Sequence, residues 1–264
     1  MSPSSKPDFT TVTETPGVRA TASELSQLYT RYAWAAQFVY GKRVLEVACG
    51  SGPGVGYLLR HGATEVVATD IEDGNLKYAR EHYDSRHEVT VEIADAANLQ
   101  YKDAAFDVVV NFEAIYYMPD LERVLSEAHR TLCDGGHLLI STVNRQWHGF
   151  NPSPFSHLYP TVDQLERLLD AAGFDTDIKV GFRDLASNGI RMLVSNLRRA
   201  AVKLGLIPQT MKGKELLKRV FYGELTPIPS EISDGIHVAE PLVEVAKVDD
   251  ITNYTFIFAA ARKR

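Results

Sequence analysis

The stretch Arg43-Val-Leu-Glu-Val-Ala-Cys-Gly-Ser-Gly-Pro-Gly-Val-Gly56 (RVLEVACGSGPGVG) decides the fold. Arg43–Ala48 is short, β-branched and apolar, which reads as a strand. A glycine cluster follows it, and Val55–Leu59 opens a helix. Working outward, Glu65–Asp70 (EVVATD), Val89–Ala94 (VTVEIA), Phe106–Phe112 (FDVVVNF) and His137–Val143 (HLLISTV) read as further strands. Helical spacing lies between them, over Asp73–His82 and Asp120–Leu132, where Leu121, Val124, Leu125 and Ala128 recur at a period near 3.6. Gly135–Gly136 punctuates the chain before His137. Thr161–Ala172 is a fourth helix, with Thr161 as its N-cap and Gly173 as its stop. Near-continuous apolar strands alternating with helices predict βαβ units and a parallel sheet buried on both faces. In such a sheet a ligand binds beyond the carboxyl ends of the strands, where strand order reverses.

Gly50, Gly52, Gly54 and Gly56 occupy alternate positions, so the backbone can turn sharply and approach a ligand closely. A dinucleotide fingerprint would need a third glycine where Val55, Tyr57 or Leu59 stands, and no Gly-Lys-Ser/Thr follows for a P-loop. What remains is an acid, Glu46, two positions before Ala48-x-Gly50-x-Gly52. Asp70 ends the second strand 24 residues after Glu46, where a carboxylate can accept both hydroxyls of a ribose. Asp95-Ala96 ends the third strand, and Asn111-Phe112-Glu113 ends the fourth.

This pattern resembles motif I and the neighbouring strand ends of the class I S-adenosylmethionine (SAM) methyltransferases, over roughly residues 43–173. The acidic-x-Gly-x-Gly-x-Gly motif is matched except that Ala48 replaces the first glycine. The resemblance implies an α/β, Rossmann-like, doubly wound seven-stranded sheet with SAM as cofactor. It implies that Glu46, Ala48, Gly50 and Gly52 form the cofactor loop and that Asp70, with Ile71 beside it, holds the ribose. Asp95 would hold the adenine amino group, Ala96 the ring edge, and Asn111 would line the methionine end. A helix over Leu25–Tyr40 would cover the cofactor, with Tyr29 reaching its methionine end.

The expected reaction is methyl transfer to a small molecule. An Asn/Asp-Pro-Pro-Tyr/Phe motif for exocyclic amines of DNA is missing after the fourth strand, which reads NFEAIYYM. FEAIYYM resembles the F-E-x-I-E-H-L stretch of ubiquinone-type O-methyltransferases. There Glu and His contribute to activity and can hold a metal. Tyr116 and Tyr117 take their places here, so no metal is expected. The loop at 144–160 (NRQWHGFNPSPFSHLYP) carries Trp147, Phe150, Phe155 and Tyr159, a composition suited to a substrate lid. His148 and His157 in it are candidate general bases, since imidazole titrates near neutrality. The acceptor atom is expected to be a hydroxyl oxygen of a specialised metabolite, sugar or lipid-linked sugar. N- or C-methylation, and a SAM-binding regulatory protein without catalysis, are the alternatives.

Composition sets the remaining limits. The 264 residues are 45% hydrophobic and 23% charged, with a net charge of −6. Disorder is excluded and a nucleic-acid partner is disfavoured. Two cysteines, Cys49 and Cys133, form neither a disulfide framework nor a thiol cluster, and a cytoplasmic location is expected. No run of 18 apolar residues spans a membrane. Residues 1–20 read as a Ser/Thr/Pro-rich flexible tail that could fold over a ligand. Residues 21–187 read as the core and 188–250 as a helical cap inserted before a last strand within 251–264. Residues 190–220 carry Arg191, Arg198, Arg199, Lys203, Lys212, Lys214, Lys218 and Arg219 against one acid, Glu215. That surplus suits an anionic acceptor or peripheral contact with an anionic membrane.

Overall fold

The computed structural model describes residues 8–184 and 225–264. Its strands are β1 (Arg19–Ala20), β2 (Arg43–Val47), β3 (Glu65–Asp70), β4 (Val89–Ile93), β5 (Phe106–Phe112), β6 (Leu132–Val143), β7 (Phe174–Arg183), β8 (Thr226–Pro227), β9 (Val243–Glu244) and β10 (Tyr254–Lys263). Its α-helices are α1 (Ala22–Ala35), α2 (Val55–Arg60), α3 (Asp73–Tyr83), α4 (Leu121–Thr131) and α5 (Val162–Ala171). The main sheet has the order β4-β3-β2-β5-β6-β10-β7-β9. The first five of these strands are parallel, and β10 runs antiparallel between β6 and β7. Seven long strands match the expected sheet; the eighth is the two-residue edge strand β9.

The apolar strands are explained by burial on both sides. Along β5, Val108 and Val110 face a cluster with Leu28, Leu58 and Leu76, from α1, α2 and α3. Val109 between them faces Leu125 and Leu165 of α4 and α5. Side chains alternate across a strand, so a strand covered on both faces must be apolar throughout. The chain runs outward from β2 to β4, then returns to lay β5 on the other side of β2. The order therefore reverses between β2 and β5, and their carboxyl ends open a crevice there.

Three local readings are corrected. Strand β6 begins at Leu132, not His137: Leu132 ends α4 and already pairs with Phe106. The Gly135–Gly136 pair lies inside the strand, at an irregularity in its register with β5, with Gly135 at φ +73°. A Cβ on Gly136 would fall 2.8 Å from the Asp107 and Cys133 carbonyls, so this position admits only glycine. The first helix spans Ala22–Ala35 rather than Leu25–Tyr40, started by a Thr21/Glu24 capping box.

The two flanking segments also differ from their readings. Residues 8–20 do not hang free: β1 pairs with β8, and Gly17 donates its N–H to Ile228. Residues 225–250, read as part of a helical cap, contain only short strands, a 3-10 turn and extended chain. Ile228 and Ile232 are buried in the α1–α3 side of the core. The rest of the cap, 188–224, including the basic stretch 190–220, lies outside the described residues. No helix among the described residues is long and apolar enough to cross a membrane.

Candidate cofactor and acceptor site

The glycine loop leaves β2 through a left-handed turn. Ala48, Gly50 and Gly52 have φ of +56°, +60° and +72°. Ala48 adopts that conformation despite its Cβ, a strain of about 1–2 kcal/mol, so the missing glycine of the motif does not alter the turn. Asp70 pins the loop from β3: its carboxylate accepts the N–H of Gly50 at 2.9 Å and of Glu72 at 2.8 Å. Burial raises the Asp70 carboxyl above its usual value, and these backbone donors oppose that shift.

Gly54 and Gly56 do something else. A Cβ on Gly54 would lie about 2 Å from the ring of Tyr32, and one on Gly56 would collide with the carboxyl of Glu231. These two glycines admit neighbours rather than a ligand. Tyr32 uses the space to reach over the loop, donating its hydroxyl to Glu46 at 2.5 Å. Glu231 is held from the other side by Arg60, Arg86 (2.7 Å) and His82 (3.0 Å).

The crevice gathers acceptors that lack donors. Glu46 is 2% exposed and its second carboxylate oxygen has no partner; the Asn111 side-chain oxygen is likewise buried and unpaired. Burial pushes Glu46 up to about 7, against the pull of Tyr32 and Arg31. Beyond β5, Glu113 sits at φ +52° and is also pushed up to about 7 by burial, partly countered by Arg31 and by Ser141, whose hydroxyl donates at 2.9 Å. Asp95 is exposed and caps its own turn through the Ala97 N–H, with Ala96 half-buried beside it. Ile71 and Ile93, at the ends of β3 and β4, are exposed isoleucines that offer apolar walls to a flat ring.

The N-terminal segment crosses this crevice as a strap. The Thr13 methyl lies 2.9 Å from where a Gly50 Cβ would stand. Ser51 donates its hydroxyl to the Glu14 carbonyl at 2.7 Å, and the Glu14 carboxylate pairs with buried Arg31 at 2.6 Å. Phe9 packs edge-on against Tyr117 and Phe155. The loop after β6 closes the same side. Asn144 anchors it by donating to the carbonyls of Ile251 and Tyr254, and Tyr159 stacks on Tyr116 at 4.2 Å between ring centroids.

Most sequence-selected residues converge here: Glu46, Ala48, Gly50, Gly52, Asp70, Ile71, Asp95, Ala96 and Asn111 all lie at the carboxyl edge of β2–β5. Tyr29 does not reach the loop; its ring packs on Tyr57 and its hydroxyl donates to Asp234. Tyr32, one turn on, takes the inward position. His148 and His157 are both exposed. Thr252 has one hydroxyl proton and donates it to Asp250 at 2.6 Å, so its contact with His148 Nε2 at 2.8 Å makes that nitrogen the donor. The backbone N–H of His157 bonds to the Tyr116 carbonyl at 2.7 Å. Glu14, Arg31 and Tyr32 were not selected from the sequence. Their only local signal is charge and an aromatic, Arg31 and Tyr32 on α1 and Glu14 in the strap, which packing alone would equally explain. Among the described residues, no group of three or more His, Cys, Asp and Glu side chains could hold a metal ion.

A left-handed glycine loop, an acid at the next strand end and a crevice at the switch point define a Rossmann-like fold of the nucleoside-binding kind. Residues 45–140 match the family model described as a methyltransferase domain. A probable SAM-dependent methyltransferase of Mycolicibacterium smegmatis is 34% identical over 150 residues, covering 53% of this chain and 55% of its own. A phthiotriol/phenolphthiotriol dimycocerosates methyltransferase of Mycobacterium leprae is 40% identical over 108 residues, covering 39% of this chain and 38% of its own. The chain thus spans about half or less of the length of these relatives. Among solved structures, a SAM-dependent methyltransferase of Thermotoga maritima superposes with a TM-score of 0.57 at 17% identity, covering 92% of each chain. The [4+2]-cyclase SpnF superposes at 0.58 and 21% identity, covering 95% of this chain and 85% of its own. Residues 45–140 thus match a methyltransferase domain, and the chain is similar to SAM-dependent methyltransferases in sequence and shares their fold. Its residues fit that cofactor: unpaired buried acceptors suit a cationic ligand bearing N–H donors, and Asp70 retains lone pairs for a diol.

Proposed function

We propose that this chain transfers the methyl group of SAM to a hydroxyl oxygen of a small apolar or lipid-linked acceptor. The observation that carries this reading is the shared roof. One strap touches the glycine loop through Thr13 and Ser51 and the aromatic rings of Tyr117 and Phe155 through Phe9, which supports an acceptor pocket beside the cofactor crevice. Phe155 and Leu158 are exposed large apolar residues on the lid loop, which supports an acceptor with substantial hydrocarbon surface. The phthiotriol methyltransferase relatives are consistent with a lipid-like acceptor.

SAM, when bound, supplies the electrophilic methyl. The chain's own residues would hold it and shape the approach. Asp70 would accept from the ribose, Asn111 and the glycine loop would fix the methionine end, and Asp95 with Ala96 would hold the adenine. The aromatic wall of Tyr116, Tyr117 and Phe155 would exclude water and align the acceptor, since in-line placement near 3 Å supplies much of the rate. His148, whose ring contacts Thr252, and His157 would be the candidate general bases.

The test is turnover of SAM to S-adenosylhomocysteine with a panel of hydroxylated lipids, sugars and polyketide-like alcohols. Product formed only with amines would move the reaction to nitrogen. Cofactor binding without turnover on any acceptor would favour a non-catalytic or non-methylating role, a reading kept open by the structural likeness to a cyclase, because one fold hosts several chemistries.

A further inference from the structure

The strap over the crevice is fastened at both ends and in the middle. At its far end Phe9 packs edge-on against Tyr117 and Phe155, with ring centroids 5.4 and 6.1 Å away. At its near end Gly17 donates its N–H to the Ile228 carbonyl and the Val18 carbonyl accepts from the Ile228 N–H, both at 2.8 Å, which ties it to β8. Between them, among the described residues, Glu14 carries both polar ties from residues 9–16 to the body. Its carbonyl accepts from Ser51 at 2.7 Å, and its carboxylate accepts from Arg31 Nη2 at 2.6 Å. The Thr13 hydroxyl, by contrast, donates within the strap, to the Phe9 carbonyl at 2.8 Å.

The course of the strap follows the residues that would hold the cofactor. The methyls of Thr13 and Thr10 stand 2.9 and 3.1 Å from where a Cβ would sit on Gly50 and Gly74. Asp70 bonds the N–H of Gly50 on one side and of Glu72 on the other. A ligand seated against Asp70 and the glycine turn therefore has residues 10–14 across its way in and out. The two partners of the ion pair are unlike. The Arg31 side chain is 7% exposed and fixed in α1, whereas that of Glu14 is 40% exposed and moves with the strap. Arg31 Nε is already buried without a partner, so lifting the strap would strand a buried cation, which is costly. We propose that Glu14 is a positioning residue: paired with Arg31, it latches residues 9–16 over the crevice, and SAM enters and leaves only when that pair opens. The latch acts on access rather than on ligand contacts, so it slows arrival and departure alike. This inference rests on the SAM reading of the crevice.

Glu14→Gln keeps the shape of the side chain and an oxygen for Arg31 but removes the charge. In the full chain, association of labelled SAM and its chase by unlabelled SAM should both speed up roughly tenfold, the scale of one charge-assisted hydrogen bond. Kd should change less than either rate. Loss of a ligand contact would instead raise the dissociation rate alone. Phe9→Ala, at the far end of the strap, should also raise both rates, and it decides the matter if Glu14→Gln does not fold. Amide hydrogen exchange of the free chain gives a readout that needs no ligand. Residues 10–15 should exchange faster in Glu14→Gln while β2–β5 keep their protection. Unchanged rates, dissociation rising alone, or unchanged exchange overturns the latch and leaves the cofactor reading intact. Failure of the wild-type chain to bind SAM overturns both.

Discussion

The run of four alternating glycines contains two pairs with different physical reasons. Gly50 and Gly52 have positive φ and shape the turn beneath the ligand crevice. Gly54 and Gly56 begin α2, and each leaves room for a side chain from elsewhere: Tyr32 from α1, and Glu231 from the segment before the last strands. One regular sequence pattern therefore serves backbone conformation in its first half and tertiary packing in its second. The two pairs meet through Tyr32, because the ring admitted by Gly54 carries the hydroxyl that bonds Glu46 below the first pair.

The largest expected effect breaks the first half at its anchor. Asp70→Ala removes the carboxylate that holds the Gly50 N–H and would hold the ribose, so SAM affinity should fall roughly 30- to 1000-fold, about 2–4 kcal/mol, by calorimetry. Unchanged affinity would show that the turn is built for packing, like the second pair. Next, Gly54→Ala drives a methyl into the Tyr32 ring, and overpacking of this kind costs about 1–3 kcal/mol. A denaturant melt should show that loss; no loss would mean that Tyr32 moves aside freely. Gly52→Ala should cost about 1–2 kcal/mol through its positive φ, with SAM affinity falling alongside stability, whereas Gly56→Ala should lower stability alone. Equal ligand effects at positions 52 and 56 would erase the distinction between the pairs.

A smaller effect follows from the acids beneath the loop. Glu46 and Glu113 have folded pKa values near 7, above an unfolded value near 4.3. The folded state therefore binds more protons in that interval, and the stability this contributes is complete below the unfolded value and lost as pH rises through about 7. The apparent melting temperature of the free chain should drop by a few degrees between pH 6 and 8, and less so in Glu46→Gln. A flat profile would place both carboxyls in contact with water. The smallest expected effect is none: turnover should survive a chelator, because Tyr116 and Tyr117 stand where the ubiquinone-type stretch that FEAIYYM resembles has Glu and His. Loss restored by magnesium or zinc would refute it.

Sequence pattern alone located the strands that matter, because strands buried on both faces have to be apolar, and alternation with 3.6-period helices leaves few other arrangements. It also placed Asp70, Asp95 and Asn111 at strand ends, since a parallel sheet presents its ligand only there. What it could not decide were contacts between distant segments. Tyr29 and Tyr32 are equivalent in composition, and only the direction of α1 over Gly54 turns Tyr32 inward and Tyr29 toward Asp234. A Ser/Thr/Pro-rich stretch at 8–20 has no periodicity to reveal that it crosses the crevice, because it is held by a β1–β8 pairing more than 200 residues away and by one ion pair to Arg31. The glycines were legible as a run. That two of them exist to admit Tyr32 and Glu231 was fixed only when α1 and the 225–240 segment closed on the loop, because a glycine's missing Cβ has meaning only against the atom that fills its place.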